Sequence, residues 1–287
     1  MCMFSGPVIY VDETNIFARG SVDGRQFVVY SMTMKAKDDL AMILPLPVPK
    51  NTADVAVKFI NLEKYPDFFS DLQRGFPVAR GSGGTHSAGA IAGAAKAPLK
   101  VVEVGSFEAS YVPSIPDFKR LDERFRLPVA TWNQLPQYQF KHFGFAVFKL
   151  KPGDKRIHPM AFEFPRADAK QLFFPTVHVH DGKVHPTARF DHVLYCQENA
   201  GESLNLLHQW QESTALARDF VDLDKAENII AGDRHCHMRR MTGNLRNEDT
   251  VVCIEVRGEG RGARGRAKRR LTAFWISSSL RSSYPRP

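Results

Sequence analysis

Residues 15–34 read NIFARGSVDGRQFVVYSMTM. Two β-type runs, 16–19 and 26–34, flank a polar piece holding Asp23-Gly24. Asp-Gly supplies the left-handed backbone that a tight turn requires, so the stretch predicts a β-hairpin. Upstream, 8–11 is another short β-type run. Downstream, 42–48 is apolar but interrupted by Pro45 and Pro47. Proline donates no ladder hydrogen bond, which suits an edge strand.

The same pattern extends along the chain. Residues 52–76 are helical in part, with Val55, Phe59, Leu62, Phe68, Phe69 and Leu72 at mixed helical spacing. Strands are expected at 101–104, 144–150, 159–165 and 172–180, and helices at 117–127 and 135–142. The best helical stretch is 200–228, where Leu206, Leu207, Trp210, Leu216, Phe220 and Val221 fall near one face. A second hairpin is expected from 234–245 and 250–256 around 246–249. The sum is an α+β fold dominated by antiparallel strands and hairpins, with a few helices in one main body, 1–256. Residues 80–98 are rich in Gly and Ala and read as a flexible loop. Residues 257–287 read as a disordered basic tail.

Composition bounds the function. Of 287 residues, 43% are hydrophobic and 24% charged, ordinary for a globular chain. No apolar stretch approaches the roughly 18 residues of a transmembrane helix. The net charge is +8, and the segment 257–287 alone holds nine bases against one acid, which leaves 30 of each sign in 1–256. The body thus has no basic excess for phosphates, and any nucleic-acid contact falls to the tail between Arg257 and Arg270. The four cysteines, Cys2, Cys196, Cys236 and Cys253, form no Cys-x-x-Cys pair. With no secretory leader read at the start, free thiols in a reducing cytoplasm are expected.

The order of several short motifs resembles an uncharacterised bacterial family known only as a domain of unknown function. They include Cys2-x-Phe4, Ile16-Phe17-Ala18-Arg19, Asp23-Gly24-Arg25 and the run from Asp38 to Pro49. Val104-Gly105-Ser106-Phe107, Leu135-Pro136-Gln137-Tyr138, the run from Gly144 to Leu150 and His158-Pro159-Met160-Ala161-Phe162 continue it, so the resemblance spans about residues 2–180. It implies a domain without an established activity, in a family whose members are mostly secreted.

Chemistry concentrates in 173–185, FFPTVHVHDGKVH. If Asp181-Gly182 forms a two-residue turn, His178 faces His185 and His180 faces Lys183, and the three histidines share one strand face. Opposed Cβ atoms lie about 5 Å apart. Three imidazoles then converge on a divalent transition metal such as zinc, copper or iron, with a fourth position open for water. Thr176 and Lys183 on that face argue for simple solvent exposure instead. His192 falls on the opposite parity, a core position unless a bulge at Pro186 rotates it back. His235 and His237 flank Cys236 and can complete this site or form another. The leading expectation is a metal-binding protein or metalloenzyme built on His178, His180 and His185. A second is an amidase using Cys2, whose α-amino group, once Met1 is removed, acts as base for its own thiol. A third is a metal-free binding or structural module for a small molecule or peptide.

Overall fold

The computed structural model describes residues 3–76, 101–105, 107–140, 142–150, 153–199, 202–206 and 209–256. Cys2, the segment 80–98 and the tail from 257 lie outside them. Among the described residues the strands are β1 Met3–Phe4, β2 Tyr10–Gly20, β3 Arg25–Ala36, β4 Leu40–Pro47, β5 Lys58–Asn61, β6 Val102–Val104, β7 Phe107–Val112, β8 Phe143–Leu150, β9 Gly153–Pro165, β10 Gln171–Phe174, β11 Thr187–Gln197, β12 Glu202–Leu204, β13 Gln211–Glu212, β14 His237–Arg246 and β15 Thr250–Val256. The α-helices are short: α1 Phe68–Arg74, α2 Val129–Asn133 and α3 Pro136–Phe140. The architecture is mainly antiparallel sheet with few helices.

A seven-stranded sheet has the order β13-β14-β11-β2-β3-β9-β5, and a five-stranded sheet the order β1-β4-β8-β7-β6. A small third sheet is β10-β15-β12. The β2–β3 hairpin is present, paired from Tyr10↔Lys35 to Gly20↔Gln26. Its bend carries Asp23 at φ 56° and Gly24 at φ 69°. β11 joins β2 in parallel, Leu194 opposite Ile16.

Strand alternation sorts these residues into stacked apolar layers. Ile16, Val28, Tyr30 and Phe162 leave one face of the large sheet to meet Met42, Leu44, Phe148 and Leu150 of the five-stranded sheet. Phe17, Val29 and Ala161 leave the other face to meet Phe68, Phe69 and Leu72 of α1. A seven-residue helix is too short to stand alone, so this packing is what forms it. The outer face of the five-stranded sheet, Ile43, Phe145 and Val147, packs against Phe118, Trp132 and Tyr138. Both faces of β4 and β8 are therefore covered, which accounts for their nearly continuous apolar sequences.

Several expectations are corrected. β4 lies between β1 and β8 rather than at an edge, but β1 covers only Met42 and Ile43. The Ala41 carbonyl accepts from Ser5 N–H on the β1 side at 2.9 Å, so the odd-numbered residues point their backbone groups that way. Pro45 and Pro47 lack N–H groups only on this side, where among the described residues β1 pairs no further than Ile43 and no ladder asks for them. The helix at 200–228 is replaced by β12, β13 and a 3₁₀ turn at Ala217–Asp219. Its apparent stripe serves two cores: Leu206 and Trp210 pack on one, Phe220 and Val221 on the other. The region 117–127 forms two 3₁₀ turns, Ile115–Arg120 and Glu123–Phe125. Finally, β14 and β15 are not a hairpin. β14 pairs with β11 and β13, and β15 with β10 and β12. The link between them, 247–249, becomes a strap over the histidine segment.

Candidate functional site

Among the described residues, 173–185 do not form the expected hairpin. β10 ends at Phe174, and Pro175 follows. The backbone from 176 onward then bonds to side chains rather than to a partner strand. Asp249 accepts from the N–H groups of Thr176 and Val177 at 2.9 and 3.2 Å and from the Tyr138 hydroxyl at 2.6 Å. Burial nonetheless pushes its carboxyl up to about 6. Asn247 accepts from His178 N–H at 2.7 Å and donates to the carbonyls of His178 and His185, both at 2.9 Å. Val179 bridges to Met3 in parallel, and its carbonyl accepts from Phe4 N–H at 3.0 Å. Gly182, at φ 76°, offers its carbonyl to the Thr131 hydroxyl at 2.6 Å. The backbone groups that a hairpin ladder would use are thus engaged elsewhere.

This path separates the predicted trio. His185 turns outward and lies 3.1 Å from the Asp181 carboxylate, with 59% of its side chain exposed. His178 and His180 turn inward with rings stacked, centroids 5.4 Å apart and planes 11° apart. His192 of β11 takes the third place. Its ring centroid is 5.2 Å from that of His178, and it is fully buried. Phe190 and Phe4 close the surroundings, with centroids 4.2 Å from His178 and 5.6 Å from His180. Parity failed to foresee this because β11 starts only at Thr187, after an irregular passage, and so is out of phase with 178–180.

The cluster is polar in an apolar setting. Among the described residues, neither ring nitrogen of His192 has a hydrogen-bond partner, nor does Nε2 of His180. Each such buried group costs about 1–3 kcal/mol. Burial holds His178 well below the usual histidine range and His180 down at about 4, so both are neutral at pH 7. Neutral imidazole is the form that binds metals. With Zn–N near 2.0 Å, rings sharing one ion have centroids roughly 5 Å apart, a spacing that His178 keeps to His180 and to His192. The orientation does not fit: stacked planes aim their nitrogens side by side. Among the described residues no trio of ligand side chains already converges on an ion. Seating a metal requires at least one ring to turn about its Cβ–Cγ bond.

The other predicted residues stand apart. His237 lies opposite Cys196. That puts it on the sheet face of His192 but four residues along, about 13 Å away. His235 sits against Ser213, its Nδ1 2.9 Å from the Ser213 carbonyl oxygen. Cys236 is buried and free, its thiol pushed up to about 12 by burial, and is therefore unreactive. Cys2 lies outside the described residues, although its neighbour Met3 pairs with Val179, between His178 and His180. Sequence reasoning missed Phe190, Asn247 and Asp249; the short polar run 247–249 between β14 and β15 was the available signal for the last two.

No family model matches the chain and no curated protein matches it, in keeping with an uncharacterised family without an established activity. Among solved structures, it is similar to baculovirus P35 at 11% identity, with a TM-score of 0.47 over 88% of this chain and 99% of that one. A mutated baculovirus P35 after caspase cleavage gives 11% identity and a TM-score of 0.46 over 84% and 99%. P35 in its complex with caspase-8 gives 10% and 0.42 over 84% and 96%. At these scores neither fold nor function passes from those proteins to this chain.

Proposed function

We propose that the chain is a metal-binding protein whose ligands are His178, His180 and His192, with His192 in the place first assigned to His185. The observation that carries this reading is the full burial of His192 with both ring nitrogens unpartnered beside the ring of His178, which in turn stacks on His180. A divalent transition metal would satisfy one nitrogen on each ring and leave one coordination position open. Imidazole ligands suit zinc, copper or iron, and a metal with an open position can polarise a bound water. The protein's own contribution is an apolar surround from Phe4 and Phe190 and a segment fixed by Asn247 and Asp249.

The test is a zinc titration of metal-free protein by calorimetry. Wild type and His185→Ala bind one equivalent with equal affinity, and His192→Ala binds at least 100-fold more weakly. Equal affinity in wild type and His192→Ala, or loss in His185→Ala alone, would overturn the assignment.

A second reading, catalysis by Cys2, draws support only from the pairing of Met3 with Val179. It needs a free Cys2 amine, so an intact mass that retains Met1 would eliminate it.

A further inference from the structure

Away from the histidines, a cleft of about 850 Å³ opens between the loop 48–52, the 3₁₀ turn Ile115–Arg120 and the helices α2 and α3. Such a volume holds a small organic molecule. Phe118, Trp132 and Phe143 are among the lining side chains, Phe118 and Trp132 each only 4% exposed at the base of the cleft. Val129, on the same lining, leaves 75% of its surface exposed, much for a branched apolar side chain at the first position of a helix. Lone exposed apolar residues are ordinary; this one adjoins a concave aromatic surface.

The charges in the cleft are one-sided. Lys50, Lys119 and Arg126 line it, against one acid, Asp117. Asp117 is already occupied: it accepts from the Ser114 hydroxyl at 2.5 Å and lies 3.5 Å from Arg120. Lys50 and Lys119 are exposed, and neither enters an ion pair among the described residues. Arg126 spends Nε and one terminal nitrogen on the carbonyls of Leu121 and Lys119, which holds its guanidinium in place. An apolar floor beneath uncompensated cations fits a ligand with a flat apolar body and a negative group.

We infer that this cleft binds an aryl carboxylate, with the rings on the Phe118–Trp132 floor and the carboxylate among Lys50, Lys119 and Arg126. The cleft lies apart from the three imidazoles, and Tyr138 on its lining donates to Asp249 of the strap.

The probe is 2-naphthoate, compared with the neutral 2-naphthylmethanol, by calorimetry on the full chain. Naphthoate binds saturably with one site, and the alcohol binds at least 10-fold more weakly. The double variant Lys50→Gln/Lys119→Gln keeps the wild-type melting temperature, since both side chains are exposed. It lowers naphthoate affinity at least 5-fold and leaves the alcohol unchanged. No saturable naphthoate binding at millimolar concentration would overturn the inference. Equal affinity for acid and alcohol, or no response in the double variant, would do so as well.

Discussion

The bends at 22–24 and 180–182 contain the same dipeptide, Asp-Gly, and each puts its glycine in the left-handed region, at φ 69° and 76°. One joins two paired strands and the other joins nothing to itself. At the first bend the flanks have matched partners, Gly20 with Gln26 and Phe17 with Val29. At the second, prolines stand at 175 and 186, and Asn247 already holds both backbone groups of His178. The lesson is that a turn dipeptide permits a hairpin, whereas the competing partners of its flanks decide whether one forms. The consequence at the second bend is chemical, because freeing the segment from a ladder lets His178 and His180 turn inward towards His192.

That contrast can be broken most directly at the strap. Asn247→Ala removes three hydrogen bonds from 178 and 185 and should cost about 3–4 kcal/mol, at about 1 kcal/mol or somewhat more each. Urea denaturation checks this. Asp23→Ala in the first bend, whose Gly24 carbonyl is held by Arg166 and not by Asp23, should cost only about 1 kcal/mol for the left-handed backbone.

Acid should separate the two bends next, because only the second carries buried histidines. The His180 pKa falls from the ordinary 6.5 to about 4, chiefly through burial. Its contribution to stability is therefore complete above pH 6.5 and is lost as the pH falls through about 4, about 3 kcal/mol in all. Asp249 acts in the opposite sense. With its pKa raised to about 6, it favours the folded state below pH 3.8, and that contribution fades as the pH rises through 6. In chelator, wild type should lose about 3 kcal/mol more than His180→Phe between pH 7 and 4. Asp249→Asn should be more acid-labile than wild type.

A smaller effect sharpens the polar cost of the cluster. His192→Phe removes two unpartnered nitrogens from a fully buried site, so metal-free protein should gain about 1–2 kcal/mol while zinc binding disappears. Destabilisation would mean that His192 has a partner. The smallest expected difference lies in the glycines. Nothing lies within 4 Å of a Cβ built at Gly24 or Gly182, so Gly→Ala at either costs only backbone strain, about 1 kcal/mol. Folding kinetics distinguish them: Gly24→Ala should slow folding, because a hairpin closes early, and Gly182→Ala should mainly speed unfolding.

The β2–β3 hairpin and strands such as β8 were readable because alternation and a turn signal agree over a long run and both faces find a covering layer. The path of 173–185 was not, because it depends on Asn247 and Asp249, more than 60 positions away in sequence, whose side chains replace a backbone ladder. His178 and His180 were singled out from local pattern alone, and their rings do come together. His192 was left to the core, where it does lie, but its approach to His178 is a tertiary fact with no periodic trace. The stripe at 200–228 misled because helical spacing does not reveal that its two halves face different cores.

The central claim rests on which third histidine completes the site, and cobalt(II) makes that visible. Metal-free wild type and His185→Ala, titrated with one equivalent, should both develop the intense visible bands of tetrahedral cobalt with nitrogen ligands, and His192→Ala should not. Bands that survive in His192→Ala and vanish in His185→Ala would contradict the account.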